Sequence, residues 1–473
     1  MTTSGKKAPL IRIIAAATMI TVSMGIFSGC GKKVNDKDDK GRTVISVGVW
    51  PSKKGVNLDN ANARKERFEK ANPDVVIEPD TWTFDRKTFY AKAAGGNLPV
   101  LYQVAYTEMP EIISSGYSAD ISKVLKKRGY DGMFNESVMD VISKDGKVYG
   151  FPLDSYVLGL AYNTELFVKA GLMESDGTPK QPKDWYELAE FAQKIKKSTG
   201  KSGFVFPTAN NTGGWMFTPI AWSFGVEFMK KDSKGKWQAT FDTKECVDAL
   251  QYIKDLKWKY DVLPANTFVD YGEMYKSFAT GNAAMLMSAG SYAGSVSKYG
   301  MTPEQSGIMA LPAGPRRNVT LLGGSVWCIR DNATEDQIDA AVRWLETAIS
   351  YKLTDEFKTN KKVEIEKNLS ENKLVGINSM SIWSEKAESR VWENELIAKN
   401  ANANKNHFKL YNDFVANCPA EVQPEEPVCC QELYGILDSC IQEVLTNKDA
   451  DCSKIIKNAA SDFQKNYLDK VIY

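Results

Sequence analysis

A single histidine, His407, stands among 59 acidic and 60 basic side chains in the 473-residue sequence, and this limits the chemistry available. A Ser-His-Asp relay would have to use His407, which lies in an Ala-, Asn- and Lys-rich polar stretch. Such a stretch is a poor home for a buried, oriented base. No G-x-S-x-G, H-E-x-x-H or Walker loop is present. Glycoside hydrolysis needs only two carboxylates, a condition that a count of acids satisfies trivially. Among the eight cysteines, Cys418, Cys429, Cys430, Cys440 and Cys452 cluster near the C-terminus. Outside the cytoplasm some of these are candidates for pairing, with a connectivity that sequence does not fix. The cluster has no C-x-x-C spacing and His407 has no obvious partner, so no metal site and no cofactor are expected. Cys246 and Cys328 sit in apolar segments, where a free cysteine behaves as a small hydrophobe.

The aromatic residues near strand ends have a clearer use. A polyol ring offers C–H faces to stack on and hydroxyls around its rim. Pockets for such ligands lie outside the carboxyl ends of strands in open α/β sheets. Trp50 ends the first strand and reads equally well as core. Trp82 lies in Asp80-Thr81-Trp82-Thr83-Phe84, just past a strand. Trp215 follows Gly213-Gly214 in an expected loop and is the main stacking candidate. Trp327 repeats the pattern in Gly323-Gly324-Ser325-Val326-Trp327, but there the tryptophan alternates within a strand. Trp222 reads as core, and Trp383 and Trp392 as helix packing.

The elements that must position these residues alternate. Thr43–Trp50, Val75–Ile77 and Pro99–Val104 read as strands; Asp59–Lys70, Phe89–Ala94 and Met109–Ser115 read as helices between and after them. This order predicts βαβ units and a parallel sheet. Ser155–Asn163 is a further strand, Trp185–Ser198 an amphipathic helix, and Trp222–Phe228 with Trp237–Phe241 an expected hairpin. Glu245–Tyr260 is helical. Ala283–Ser288, Gly307–Leu311 and Ser325–Arg330 return to strand. Helix dominates from Glu335 onward, interrupted by three prolines between Pro419 and Pro427. No internal repeat is found, which counts against a surface adhesin.

The N-terminus has the layout of an export signal: Lys6, Lys7 and Arg12, an uncharged apolar run from Ile13 to Phe27, then small residues. The run is short for a membrane span, which needs about 20 residues. Phe27-Ser28-Gly29-Cys30 resembles a bacterial lipobox, with Phe where Leu is more usual. That resemblance implies cleavage before Cys30 and lipidation of its thiol. The following GKKVNDKDDKGR cannot bury a core and is expected to be a solvated tether over 30–42. Without the three basic residues of the leader the balance is 57 basic against 59 acidic side chains, near neutrality. This gives no electrostatic footprint for nucleic acid.

Several segments together resemble the maltose-binding-like extracellular solute-binding proteins of ABC importers. They are Phe68-Glu69-Lys70-Ala71-Asn72-Pro73 with Val75-Val76-Ile77; Gly146-Lys147-Val148-Tyr149-Gly150-Phe151-Pro152 running into Leu160-Ala161-Tyr162-Asn163-Thr164-Glu165-Leu166-Phe167; Pro182-Lys183-Asp184-Trp185-Tyr186-Glu187-Leu188; Phe278-Ala279-Thr280-Gly281-Asn282-Ala283-Ala284-Met285; and Leu311-Pro312-Ala313-Gly314-Pro315 with Gly323-Gly324. The stretch Cys418–Cys430 departs from the general pattern. The resemblance implies a periplasmic-binding-protein-like α/β fold of two lobes, each a mainly parallel sheet flanked by helices, joined by a hinge of three crossings. It places the first lobe over 43–153 and about 293–350, the second over 154–288 and about 378–473, and the crossings near 151–155, 288–292 and 351–377. It further implies ligand contacts from Gln103, Tyr106 and Glu108 after the third strand, Asp154 and Tyr156 at the first crossing, Tyr292 after the second, and Tyr434 after the proline-rich insert. Glu108 reads equally as an acidic residue favoured at a helix start.

The implied protein is no enzyme. It is a monomer that captures a sugar or oligosaccharide and delivers it to permease subunits driven by a separate ATPase, while a lipid anchor holds it to the outer face of the membrane. A binding protein for another solute, or a secreted polysaccharide-degrading enzyme, are the competing readings.

Overall fold

The computed structural model describes residues 36–417 and 420–471. The leader, Cys30 and Cys418 lie outside them.

Strands β1 (Thr43–Val47), β2 (Val75–Pro79) and β3 (Leu101–Ala105) form a parallel set with β1 between the other two. Ile45, Val47, Val75 and Ile77 bury their β-branched side chains with Phe68 and Trp344, the core of the first lobe. The helix Glu335–Glu346 covers this sheet. Thr334 and Gln337 exchange side chain-to-backbone bonds at its start, a capping box that satisfies two otherwise orphaned donors.

Strand β4 (Phe151–Asn163) is 13 residues long. Its first half pairs antiparallel with β7 (Val319–Ile329), which itself pairs antiparallel with β3. Its second half pairs antiparallel with both β5 (Met285–Ala289) and β6 (Ser306–Ala310). The order is β6-β4-β7-β3-β1-β2, with β5 also on β4 and the short β8 (Glu421–Pro424) parallel to β7. One strand therefore serves both sheets. The amphipathic helix Trp185–Thr199 packs on the second lobe. Asp184 caps its N-terminus by accepting from the Glu187 N–H at 2.9 Å, and Gly200 ends it in the left-handed conformation. Its buried residues Trp185, Leu188, Ala189, Ala192 and Ile195 follow the three-and-four spacing of one helix face.

Several expectations are corrected. β6, expected in the first lobe, lies beside the far half of β4, so the chain returns along β7 and not at Ser288–Tyr292. Ile382, Trp383 and Ala387, expected in the second lobe, join the first lobe's core, and Trp383 stacks on Phe134 at 5.1 Å. The tether's last residues are not free: Lys37 reaches Asp336 on the adjacent lobe surface at 2.7 Å, and Asp38 pairs with Arg42 within the tether itself. The hairpin is Met229–Lys231 with Trp237–Ala239; Trp222 lies instead in the helix Thr212–Phe224. Among the described residues the cysteines, including Cys429, Cys430, Cys440 and Cys452, are free thiols.

That helix explains Gly213-Gly214. A Cβ on Gly214 would stand 2.2 Å from the Tyr434 carbonyl oxygen, so only glycine lets helix Thr212–Phe224 approach helix Cys430–Thr446 this closely. Gly214→Ala is expected to cost about 1–3 kcal/mol by overpacking and to lower the melting temperature by several degrees. Gly294→Ala, with nothing within 4 Å of its Cβ, is the control and should melt with the parent. Equal melting of the two variants in a calorimetric scan would refute this account of the interface.

Candidate functional site

The site is assembled from several segments that meet where β4 passes between the lobes. At the Asp154 position β4 carries a bulge: Ser325 of β7 faces Asp154 while the next residue, Val326, faces Pro152. A bulge redirects a side chain locally, and Asp154 stays accessible, accepting the Ser325 N–H at 2.8 Å. Burial pushes its carboxyl above the usual range, opposed by that hydrogen bond.

Gly323-Gly324 make room for two tyrosines. A Cβ on Gly323 would lie 2.3 Å from Cζ of Tyr156, and one on Gly324 would lie 2.7 Å from Cε2 of Tyr106. Both rings thus rest directly on the β7 backbone. Tyr156 is half-buried and lies within electrostatic reach of Glu425 and Asp154. Tyr106 is 2% exposed and its hydroxyl has no hydrogen-bond partner.

After β3 the 3-10 turn Tyr106–Glu108 supplies polar groups. Thr107 donates its hydroxyl to Glu425, which follows β8, so the contact joins the first lobe to the second. Glu425 also accepts the Tyr434 hydroxyl at 2.9 Å, and burial raises its carboxyl pKa. Glu108 is buried against Arg86 at 2.6 Å. Arg86 further meets Glu111 at 2.8 Å and, across the cleft, Glu432 at 3.7 Å. The aromatic wall comes from the second lobe: half-buried Trp215 lies 6.2 Å from Tyr271, which lies 5.4 Å from Tyr275. The Tyr275 hydroxyl is held by Ser288 at 2.8 Å.

The structure therefore brings Tyr106, Asp154, Tyr156 and Trp215 together. Trp215 stands in the first turn of a helix and not in a loop. Trp82 is half-buried on the first lobe, with Lys92 5.6 Å from its ring, and Gln103 and Trp327 are half-buried neighbours across the β3–β7 ladder. Three candidates are corrected to core. Trp50 stacks on Trp344 at 6.0 Å. Tyr292 is 1% exposed, with its hydroxyl on Ser306 and Gly307. Tyr434 is buried and reaches the site only through the bond to Glu425. Glu108 likewise spends its carboxylate on Arg86. Sequence reasoning missed Arg86, Thr107, Glu425, Tyr271 and Tyr275. The pair Tyr271 and Tyr275, four apart at the start of a helix, was a readable signal. Aromatic faces flanked by carboxylates, tyrosine hydroxyls and a threonine suit the binding of a hydroxyl-rich ring. Among the described residues no group of His, Cys, Asp and Glu could hold a metal ion.

The profile described as bacterial extracellular solute-binding protein matches residues 55–353. The maltodextrin-binding protein MdxE of Bacillus subtilis (strain 168) is 26% identical over 379 residues, 75% of this chain and 82% of that one. The sn-glycerol-3-phosphate-binding periplasmic protein UgpB of Escherichia coli O1:K1 / APEC is 25% identical over 314 residues, 62% and 68% of the two chains. Among solved structures, the GacH receptor of Streptomyces glaucescens GLA.O superposes with a TM-score of 0.63 at 19% identity, covering 90% of this chain and 99% of that one. The two-lobed α/β fold is the one these structures share.

Beside Glu425, Glu426 turns into the core and accepts the Trp222 indole N–H at 3.0 Å. Burial pushes its carboxyl up to about 7. The unfolded chain ionises this group near 4.5, so its folded-state pKa is raised. The stability it allows is full below that value and is lost as pH rises to about 7. Glu426→Gln keeps an acceptor for Trp222 and removes the ionisation. At pH 8 it should be more stable than the parent by up to about 3 kcal/mol, with little difference at pH 4.5. Urea unfolding at the two pH values measures this; a gain independent of pH would contradict it.

Proposed function

The chain belongs to the bacterial extracellular solute-binding protein family, and on that premise we propose that it captures a sugar or oligosaccharide between its lobes. Members of this family are the binding components of ABC importers and are not enzymes. The observation that carries the cargo assignment is the aromatic wall of Trp215, Tyr271 and Tyr156 beside the carboxylates Asp154 and Glu425. Aromatic faces stack on C–H surfaces of a pyranose, and carboxylates accept from its hydroxyls. Half-buried Trp82, Gln103 and Trp327 are proposed as further contacts of the same ligand. The maltodextrin cargo named for MdxE agrees with this chemistry.

A second reading, a glycerol-phosphate cargo as named for UgpB, needs a free cation for the phosphate. Arg86 is already surrounded by three carboxylates, which favours the sugar reading.

The loaded protein, a monomer in this reading, presents its closed lobes to permease subunits whose ATPase is a separate chain. Closure is a shift between two populations, driven by contacts made only when the lobes meet. Cys30 is the proposed lipid attachment, holding the protein on the outer face of the membrane; two acyl chains give stable anchoring where one does not.

A thermal-shift series against mono- and oligosaccharides tests the cargo. A true ligand at a hundredfold excess over its dissociation constant adds about 2.7 kcal/mol, a rise of several degrees. That rise should disappear in Trp215→Ala and shrink in Asp154→Ala, with no product formed. Silence across the panel would overturn the sugar assignment, and product formation would overturn the binding assignment. For the anchor, Cys30→Ala should abolish incorporation of labelled fatty acid and release the protein to the medium; retention of the label would refute lipidation at Cys30.

A further inference from the structure

We propose that a cavity on the far side of β4 from the cleft is a second binding site, for a small neutral amphipathic molecule, and that its occupant bridges the two lobes. The molecule has an aryl or branched-alkyl body and carries a hydroxyl or amide group. The site goes beyond cargo capture and does not depend on what the cargo is.

Successive side chains of a strand point to opposite faces. Tyr156 turns to the cleft, where its ring rests on Gly323. Ser155 turns the other way and donates to the Met380 carbonyl at 2.8 Å. On that side a cavity of about 560 Å³ is lined by Ser155 and Met380 and bounded by the helices Asp355–Ser370 and Glu388–Lys399. Its walls come from both lobes. Ile349, Ile382 and Trp383 belong to the first lobe's core. Gly290 and Gly294 follow β5 of the second lobe.

The two helices turn one face each to this space. Phe357, Lys361, Ile365 and Asn368 recur at three-and-four spacing on the first, and Arg390, Asn394 and Ile397 do so on the second. Protein interiors are close-packed and leave few voids larger than a water molecule. Ligand pockets, by contrast, hold about 300–1,000 Å³ and combine apolar walls with a few polar groups. This cavity has that make-up. Ile365, Met380, Ile382 and Trp383 are apolar and buried. Asn368 and Asn394 add two amides whose side chains make no hydrogen bond among the described residues.

The charges select a neutral occupant. Asp154, Glu364 and Glu393 stand against Lys361, Lys373 and Arg390, a net of zero. Lys361 holds Glu393 at 2.8 Å and Glu364 at 3.2 Å, the Ser325 N–H holds Asp154, and Arg390 donates to the Trp383 carbonyl at 3.5 Å. An ion entering here would give up its hydration for a balanced field. A hydroxyl or amide needs only the donors and acceptors that an asparagine offers. An occupant that touches Trp383 on one side and residues 290–294 on the other holds both lobes, and it favours whichever arrangement of them it fits better.

The test is isothermal titration of the purified protein with naphthylmethanol, beside naphthoate and naphthylmethylamine as the matched anion and cation. The alcohol should bind about tenfold more tightly than either ion. Nothing lies within 4 Å of a Cβ at Gly294, and its backbone is not left-handed, so Gly294→Leu fits the chain and fills the cavity. It should weaken the alcohol about tenfold. Asn394→Ala, at a half-buried helix position, should weaken it as well. Both variants are checked for an unchanged circular dichroism spectrum. Trp215→Ala, in the cleft, should bind the alcohol like the parent. With the alcohol bound, hydrogen exchange should slow over residues 290–294 and over residues 380–383 alike. No heat from the alcohol at millimolar concentration, or binding lost in Trp215→Ala and kept in both cavity variants, would overturn the site. Equal or tighter binding of either ion would overturn the neutral class, and protection confined to one lobe would overturn the bridge.

Discussion

Everything in this molecule hangs on the pairing of one long strand. A strand exposes a donor and an acceptor at each residue, and those away from water must find partners. Over the 13 residues of β4 no single neighbour does this. β7 pairs with Phe151 to Val157, and β5 and β6 take over from Leu158 to Asn163. The handover sets two sheets on one backbone axis. It also leaves Asp154 and Tyr156 on the half of the strand paired with β7, before the change of partner at Leu158.

The glycine pair on β7 is the second consequence. A side chain at Gly323 or Gly324 would occupy the space of Tyr156 or Tyr106. The hinge therefore gives up two side chains of its own to hold two phenols from neighbouring strands and turns. Those phenols are fixed by the sheet and not by a mobile loop, so the site's geometry is as rigid as the ladder beneath it. The aromatic wall opposite is anchored differently: Tyr275 through Ser288 on β5, and Trp215 through a helix that approaches its neighbour at Gly214. A ligand that touches both walls spans one rigid and one packed surface.

The strands β1, β2, β3 and β7 were legible because β-branched runs bounded by turn residues carry their own local signal. So was the two-lobed plan, through ordered motifs. Trp215 reads from the sequence as a stacking candidate but not as helical, because a Gly-Gly pair reads locally as a loop, whereas here it opens a helix packed against Tyr434. Trp50 and Tyr292 were misread for the reverse reason: position after a strand says nothing about which tertiary neighbour covers the ring, here Trp344 and the Ser306–Gly307 backbone. Glu425 and Thr107 are 318 residues apart, and no local pattern joins them. Their meeting is a property of the tertiary arrangement alone.

That last contact bears on how closure is balanced. Thr107 with Glu425, and Arg86 with Glu432, link the lobes through the chain's own groups. Such contacts hold the lobes in this arrangement without any group from outside the chain. The ionic link is weak for its type. Arg86 and Glu432 stand 3.7 Å apart and are each about 30% exposed, where ion pairs contribute little. Glu425 sits among neutral donors and has lost hydration without gaining a counter-charge. At Glu425 the cost of burial is offset only by neutral donors, the hydroxyls of Thr107 and Tyr434, so this carboxyl is the buried acid of the interlobe contacts that the chain's own cations leave uncompensated.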